Sequence, residues 1–201
     1  MAAEAQQVKD FKHGRVPRPV RERQLVELAE ALFAERGYTG ASMDELARRA
    51  GITKPVVYEL FGSKEGLFGA CVDRSIEHLA AEIAAAVRAE GEAEARLRAG
   101  GLAFIRFAAG NRVAWDLMSM GGSFEEKARA VRSSQAELIR ELMAEMCRDD
   151  VDERELEVAA HAVNAAYEGV AHWMWEHPDV PIERIADWIA DLLIPGLRRF
   201  M

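Results

Sequence analysis

Residues 42–64, SMDELARRAGITKPVVYELFGSK, contain the pattern that decides the fold of this chain. Ser42 is followed three residues later by Glu45, and this pair forms a capping box, which satisfies the first backbone N–H groups of a helix. Apolar residues then recur three and four positions apart, at Met43, Leu46, Ala47 and Ala50. This spacing predicts a helix with one buried side, because such positions lie on the same side of a helix.

A second helix is predicted directly after the first. Gly51 stands where a left-handed residue closes a helix, and Thr53 is predicted to cap the next one. Pro55 fits the first turn of that helix, where its missing N–H has no partner to lose. The residues predicted to face the core are Val57, Leu60 and Phe61. Two helices joined by a tight turn have the geometry of a helix-turn-helix.

The outer side of the second helix is short and chemically mixed. The residues predicted on or near it are Lys54, Pro55, Val56, Tyr58 and Glu59. A cation, a methyl-bearing side chain and a phenol near one helix end suit the phosphates, thymine methyls and base edges of a major groove. The second helix is therefore predicted to recognise DNA.

A wider set of positions supports this interpretation. Within about residues 21–70, an upstream helix ending near Gly37 and Tyr38 is followed by Ser42, residues 52–55 (ITKP), Tyr58, Phe61, Lys64 and Leu67. This order resembles the N-terminal DNA-binding domain of TetR-type transcriptional repressors. Glu59 and Leu60 depart from the commonest pattern of that family, which often has a histidine and an aromatic residue there. The departure leaves the operator sequence open and does not affect the fold.

Seven residues are predicted to contact DNA, from the outer surface of the second helix and from the resemblance. They are Ser42, Thr53, Lys54, Pro55, Val56, Tyr58 and Lys64. We assign Tyr58 and Lys64 to phosphates, and residues 54–56 to positions close to base edges.

The net charge of −8 at pH 7 is unevenly distributed. Residues 1–66 hold 11 Lys and Arg against 10 Asp and Glu, whereas residues 67–201 hold 15 against 24. This asymmetry leaves the smaller part able to approach phosphate while the larger part stays away from it.

Three segments are predicted: residues 1–20, a helix-turn-helix domain of residues 21–66, and a helical domain of residues 67–201. The first contains two prolines and scattered cations, so it is either a disordered tail or a flexible basic arm that reaches DNA. No period-two pattern typical of strands occurs, and the predicted fold class is all-α. A three-helix N-terminal domain is joined by a long helix to a larger ligand-binding and dimerisation domain.

The long helix is predicted from an apolar stripe between Phe68 and Val87. Residues 91–98, with glycine and alternating charge, are predicted as a turn region, and residues 102–110 as a helix. Asn111 is predicted to cap a short helix that ends before Gly121-Gly122.

Three further helices complete the prediction. Capping boxes that begin at Ser123 and Asp152 open helices ending near Cys147 and Glu176. Pro181 begins the last helix, which Pro195 is predicted to kink or end.

The last two helices, within residues 152–200, carry more apolar surface than a surface pair needs. Small residues on the first of them permit close helix approach: Ala159, Ala162, Ala166 and Gly169. We predict a homodimer through these helices, and the family resemblance implies a four-helix interface at this place. The alternative is an ordinary pair of core helices within one chain.

An aromatic and methionine cluster lies in the larger domain, and the family resemblance implies that helices of this kind hold a small-molecule effector, which we expect to be apolar. Its predicted ligand-contacting residues are Phe104, Phe107, Trp115, Met118, Tyr167 and Trp173. The alternative is that the cluster is ordinary core. Glycines at positions 100, 101, 110, 121 and 122 favour a cavity, because they are expected to interrupt helices and weaken packing.

One polar pattern recurs on the helix of residues 152–176, where His161, Glu168 and His172 share a side. Only the last two stand one turn apart, so we predict a hydrogen-bonded polar seam and no metal site. No cofactor is predicted, and the absence of phosphate loops, nucleophile elbows and HExxH argues against an enzyme.

The cell compartment is predicted from the same sequence. Two cysteines are too few for a disulfide framework, and no stretch resembles a signal peptide or a membrane span. We therefore expect a cytoplasmic protein that does not enter a membrane.

Together these features predict a ligand-responsive repressor that binds double-stranded DNA, at an inverted-repeat operator, as a homodimer. The alternative is an all-α module that binds a small ligand or a protein partner and has no sequence-specific DNA binding.

Overall fold

The computed structural model of the chain describes residues 16–112 and 125–201. Eight α-helices lie in these ranges: α1 (Arg18–Gly40), α2 (Met43–Ala50), α3 (Lys54–Phe61), α4 (Lys64–Ala89), α5 (Ala93–Gly110), α6 (Glu125–Ala144), α7 (Glu153–Glu176) and α8 (Ile182–Leu197), followed by a 3-10 turn (Arg198–Phe200). No strand occurs in either range. The predicted all-α fold class is confirmed.

The chain divides into two compact units, the first ending at Ser75 and the second comprising Ile76–Met201. The division falls inside α4, which is one continuous helix of 26 residues. The domain boundary between residues 66 and 67 stays a prediction. Among the helices of the described ranges, none has the length and apolar character that crossing a bilayer requires.

The first unit is built on α1, whose Leu25, Ala29 and Leu32 are buried. Leu46 of α2 and Val57 of α3 are fully excluded from solvent. Helix α1 begins at Arg18, inside the segment of residues 1–20 predicted as a tail or arm. A proline is tolerated in a first helical turn, so Pro19 does not delay the start of this helix. Residues 1–15 of that segment lie outside the described part of the chain.

The ends of α1 and α2 follow the sequence signals. Gly37 has φ 68° and ψ 170°, which interrupts α1 where its end was predicted. The Ser42 hydroxyl oxygen accepts a hydrogen bond from the Glu45 amide at 3.1 Å. Gly51 is left-handed (φ 66°, ψ 33°), and the Ile52 amide reaches back to the Ala47 carbonyl at 3.0 Å. These two bonds close α2 at both ends and fix the tight turn before α3.

The predicted side-chain cap at Thr53 is wrong. Thr53 occupies the N-cap position of α3, but its hydroxyl makes no capping hydrogen bond. An N-cap side chain bonds the second or third amide of the helix. The second position is Pro55, which has no N–H, and the Val56 amide already donates to the Thr53 backbone carbonyl at 3.1 Å. The Thr53 hydroxyl, which is exposed, is therefore not used by the helix.

In the second unit, helices α5 to α8 enclose the main apolar core. Ile105, Ala160, Ala171 and Ile185 are among its most buried members. The Asp152 carboxylate caps α7 by accepting from the Arg154 amide at 2.8 Å. Residues of α4, including Leu79 and Ile83, belong to the same core.

The predicted turn region of residues 91–98 is wrong, because α5 already begins at Ala93. Charged side chains of this segment form ion pairs with residues that are distant in sequence. Arg98 bonds Asp191 of α8 at 2.5 Å, and Glu94 accepts from Arg198 at 2.6 Å.

Helix α8 continues past Pro195 to Leu197. The predicted short helix before Gly121-Gly122 and the cap at Ser123 lie outside the described residues, and Asn111 ends α5.

Candidate nucleic-acid interface and ligand cavity

The outer side of α3 is open to solvent. Thr53, Lys54, Pro55 and Glu59 are exposed, and Tyr58 retains 41% of its accessible surface. Val56 is half-buried, so only part of its side chain is available to a base edge. The Tyr58 hydroxyl makes no hydrogen bond to any described residue. The structure thus presents, along one helix, the groups predicted to meet a DNA groove.

Lys54 is paired with an acid of the preceding helix. Its Nζ lies 2.7 Å from Asp44 Oδ2 of α2, and both side chains are exposed. The hydrogen bond to Asp44 raises the pKa of Lys54. A phosphate or base that binds Lys54 must compete with this carboxylate or share the ammonium group with it.

Lys64 has a structural function that the sequence did not indicate. Its Nζ donates to the Ala41 carbonyl at 2.6 Å and contacts the Thr39 carbonyl at 3.4 Å. The ammonium also lies 4.6 Å from the centre of the Tyr38 ring. Lys64 thereby binds carbonyl groups at and just after the end of α1. At most one of its three N–H groups is left for the predicted phosphate contact.

Tyr38 and Glu65 complete this contact between α1 and α4. The Tyr38 hydroxyl donates to Glu65 Oε1 at 3.0 Å, and burial together with this carboxylate raises the pKa of Tyr38 to about 12. The Tyr38 ring also packs edge-on against Phe68 at 5.4 Å. Ser42, by contrast, is exposed, and its hydroxyl proton is not used by the capping bond that its oxygen accepts.

A cavity of about 60 Å³ lies in the second unit, between α4, α5, α6 and α7. Its wall is mainly aliphatic, aromatic and methionine side chains. It is lined by Ile83, Val87, Arg96, Leu97, Gly100, Gly101, Phe104, Ile139, Leu142, Met143, Met146, Val163, Asn164 and Tyr167. Such a wall suits a small apolar molecule that is oriented by a few polar groups.

The residues predicted to contact an effector are separated by the structure. Phe104 and Tyr167 line the cavity, with ring centroids 5.8 Å apart. Phe107 packs against the core elsewhere, and Trp173 is exposed and stacked on His177 at 3.9 Å. Trp115 and Met118 lie outside the described part of the chain. The predicted contacts include no residue of α6, although Ile139, Leu142 and Met143 of that helix line the cavity.

The prediction that glycines interrupt helices and weaken packing around the cavity is wrong for Gly100 and Gly101, the two glycines that line it. Helix α5 runs without interruption through Gly100 and Gly101, and both are buried. A Cβ at Gly100 would lie 2.9 Å from Val87 Cγ2, and one at Gly101 would overlap the Tyr167 hydroxyl. These glycines therefore permit close packing of α4 and α7 on α5 and do not weaken it.

Of the polar residues on this side of α7, Asn164 is the one that is buried. His161 and His172 are exposed, whereas Asn164 is buried and donates to Glu168 Oε1 at 3.4 Å. Burial raises the pKa of Glu168. No group of three His, Cys, Asp or Glu side chains suited to a metal occurs in the residues that the structure describes. His172 Nδ1 also lies 3.2 Å from the Glu168 carbonyl oxygen, so hydrogen bonds join Glu168 to two of its neighbours in the predicted seam.

Large apolar side chains remain exposed on the last two helices. The α7–α8 apolar surface consists of Val158, Trp173, Trp188 and Leu192, and Leu192 is 78% exposed. Exposed Ala162, Ala165 and Gly169 lie on the same side of α7 as Val158 and Trp173. Ile189, in contrast, is buried within the chain's own core. Exposed apolar patches of this kind mark interaction sites.

The first unit thus defines a helix-turn-helix protein, in which a three-helix domain presents the outer side of α3. The sequence profile described as bacterial regulatory proteins of the tetR family matches residues 25–71. The chain belongs to the TetR family of transcriptional regulators.

Known proteins with similar sequence and fold agree with this assignment. The HTH-type transcriptional activator FasR of Mycolicibacterium smegmatis is 42% identical over 93 residues, which is 46% of this chain and 42% of FasR. The chain therefore spans less than half the length of this relative. A TetR-like transcriptional regulator from Rhodococcus sp. RHA1 has a TM-score of 0.63 at 28% identity, covering 92% of this chain and 99% of that one.

The fold is shared by a protein that was solved with two ligands. AibR, in complex with isovaleryl coenzyme A and operator DNA, has a TM-score of 0.57 at 23% identity. The match covers 87% of this chain and 98% of AibR.

Proposed function

We propose that this chain is a cytoplasmic DNA-binding transcriptional regulator that binds an inverted-repeat operator as a homodimer. A small apolar molecule in the second unit controls its affinity for DNA. The observation that carries the proposal is that the outer side of α3 in the helix-turn-helix is exposed. Lys54, Pro55 and Tyr58 are open to solvent there. A hairpin with a purely structural role has no reason to group these side chains there.

The two-fold arrangement is supported by the α7–α8 apolar surface. Dimers with two-fold symmetry use the same surface on both copies, and an exposed apolar patch on adjacent helices suits such self-association. A two-fold protein reads two half-sites in opposite orientation, so the operator is expected to be an inverted repeat. If residues 1–20 include a basic arm, the arm adds phosphate or minor-groove contacts.

Control by an effector is supported by the cavity and by α4. Ile83 and Val87 of α4 line the cavity, while Leu67 and Phe68 of the same helix are buried in the first unit. AibR, whose fold is similar, binds an acyl thioester and operator DNA. A ligand that favours one arrangement of α4 changes DNA affinity by its difference in binding free energy, typically about 1–3 kcal/mol or 5–150-fold. For a repressor, the effector lowers DNA affinity.

The decisive experiment is selection of DNA fragments by the purified full chain, followed by sequencing. We expect an enriched inverted repeat, and retention on random duplex DNA that falls steeply as salt is raised. If no sequence is enriched and retention does not depend on salt, the chain is instead an all-α module for a small ligand or a protein partner.

Two substitutions on α3 should separate phosphate contacts from base contacts. Tyr58→Phe removes one hydroxyl, and we expect a loss of about 2–10-fold on every duplex, because a phosphate hydrogen bond carries no sequence information. Val56→Ala should change the preference at one base pair by about 1–3 kcal/mol if the methyl groups contact a base. Binding titrations on a set of operators with single base changes measure both effects. The reverse pattern would mean that α3 is rotated in the groove.

A further inference from the structure

Asn164 places a polar atom without a partner in the wall of an apolar cavity. The residue is only 4% exposed, and its side-chain oxygen Oδ1 has no hydrogen-bond partner. Its amide nitrogen is directed to Glu168. A buried acceptor without a donor is unfavourable, and buried polar atoms of this kind are uncommon. A donor supplied from inside the cavity would remove this cost.

Tyr167 is a second polar side chain of α7 that lines the cavity. It follows Asn164 by three residues on α7, so the two side chains lie on the same side of the helix. Its ring is held between Phe104 and Gly101, and its hydroxyl makes no hydrogen bond to a described residue. Burial raises the pKa of Tyr167 to about 12, so the hydroxyl is neutral and can both donate and accept.

On the basis of the proposed function, we propose that the effector carries a hydroxyl or primary amide group at its buried end. That group donates to Asn164 Oδ1 and accepts from the Tyr167 hydroxyl. An alkane, an ether or an ester end has no proton to donate, so it leaves the Asn164 oxygen unsatisfied. The ligand class is therefore a small apolar molecule with a terminal group that both donates and accepts a hydrogen bond.

The cavity also limits the size of this buried end. One water molecule requires about 10–15 Å³ of cavity volume. The volume of about 60 Å³ then accepts about four to six groups of this size. Five carbon atoms and one oxygen fit this limit.

The matched probes are pentan-1-ol and 1-methoxybutane, which are isomers with six non-hydrogen atoms each. Both present an oxygen that accepts from Tyr167, but only the alcohol can donate to Asn164. We expect pentan-1-ol to bind the full chain about tenfold more tightly, which corresponds to about 1.4 kcal/mol. Chemical-shift titration by NMR, without DNA present, measures both dissociation constants.

Two variants assign the effect to the two side chains. Asn164→Leu should weaken pentan-1-ol to the level of 1-methoxybutane and leave the ether unchanged, because it removes the Oδ1 acceptor from the cavity wall, and the Glu168 carboxylate whose bond is also lost does not line the cavity. Thermal unfolding checks that this variant folds, because Glu168 loses the hydrogen bond that Asn164 donates to it. Tyr167→Phe keeps the ring against Phe104 and removes the hydroxyl, so both probes should weaken by a similar factor.

Equal affinity of the two isomers for the unmodified chain would overturn the proposal, and so would binding of neither. If Asn164→Leu lowers the affinity for both probes by the same factor, the proposal is also overturned. DNA retention is measured on the same samples. A chain that binds DNA but does not distinguish the isomers contradicts only this inference, whereas a chain that binds no DNA contradicts the proposed function.

Discussion

Gly66→Ala is expected to destabilise the first unit and to abolish DNA binding. Gly66 lies in the first turn of α4, and a Cβ on it would overlap the Phe61 backbone carbonyl oxygen at the end of α3. Because the obstacle is backbone, a rotamer change cannot relieve the overlap, and α3 and α4 would have to separate. Overpacking of this kind costs about 1–3 kcal/mol and occasionally more. Denaturant unfolding and duplex retention measure the two consequences.

Gly69→Ala is the matched control, three residues further along the same helix. A Cβ there meets no atom within 4 Å. Alanine is favoured over glycine inside a helix by about 1 kcal/mol, so this variant should be slightly more stable than the original chain. The two substitutions are chemically identical and should have opposite signs. If Gly66→Ala is as stable as Gly69→Ala, the close approach of α3 to α4 described above is incorrect.

Leu192→Glu is expected to convert the proposed dimer to monomers and to reduce operator affinity by about 100-fold or more. Leu192 is 78% exposed, so its replacement removes no contact from the chain's own core. A buried, unpaired carboxylate at an interface is strongly unfavourable, and two-fold symmetry places one such carboxylate in each of the two copies. Each monomer would then bind a half-site alone, without the 10²–10⁴-fold gain, in order of magnitude, from linked binding. Sedimentation and operator titration provide the measurements.

Ala130→Glu is the control, because it adds the same charge at an exposed position of α6. This variant should remain dimeric and bind the operator normally. Ile189 is not a suitable site for the test, since it is buried in the core and a charge there would unfold the second unit. A Leu192→Glu protein that remains dimeric would exclude the α7–α8 apolar surface as the interface.

The helix-turn-helix was predictable because its signals are local. Ser42 and Glu45 stand within one helical turn, and Gly51 needs only its own left-handed backbone to end α2. The failure at Thr53 is also local in origin. Pro55 supplies no amide at the second position of α3, and the Val56 amide at the third position donates to the Thr53 carbonyl and not to its hydroxyl. The sequence shows the missing amide of Pro55, but it does not show that the Val56 amide bonds the backbone carbonyl of Thr53.

Features that depend on contacts between distant residues were not predictable in the same way. The bond from Lys64 to the Ala41 carbonyl joins residues 23 positions apart, and no spacing rule indicates it. The cavity depends on where α6 lies against α5 and α7, so Ile139 and Met143 were overlooked. Periodicity identifies the buried side of a helix, but it does not show whether the packing on that side leaves a void.

The continuity of α4 through Ser75 has a consequence for exchanging parts between related proteins. An α-helix turns about 100° per residue, so one inserted residue would rotate every later side chain of α4 by that angle relative to the earlier ones. An insertion of seven residues would change the phase by only about 20°. A chimaera joined at this point has no flexible linker to absorb an error, and its junction must therefore preserve the helical register as well as the sequence on either side.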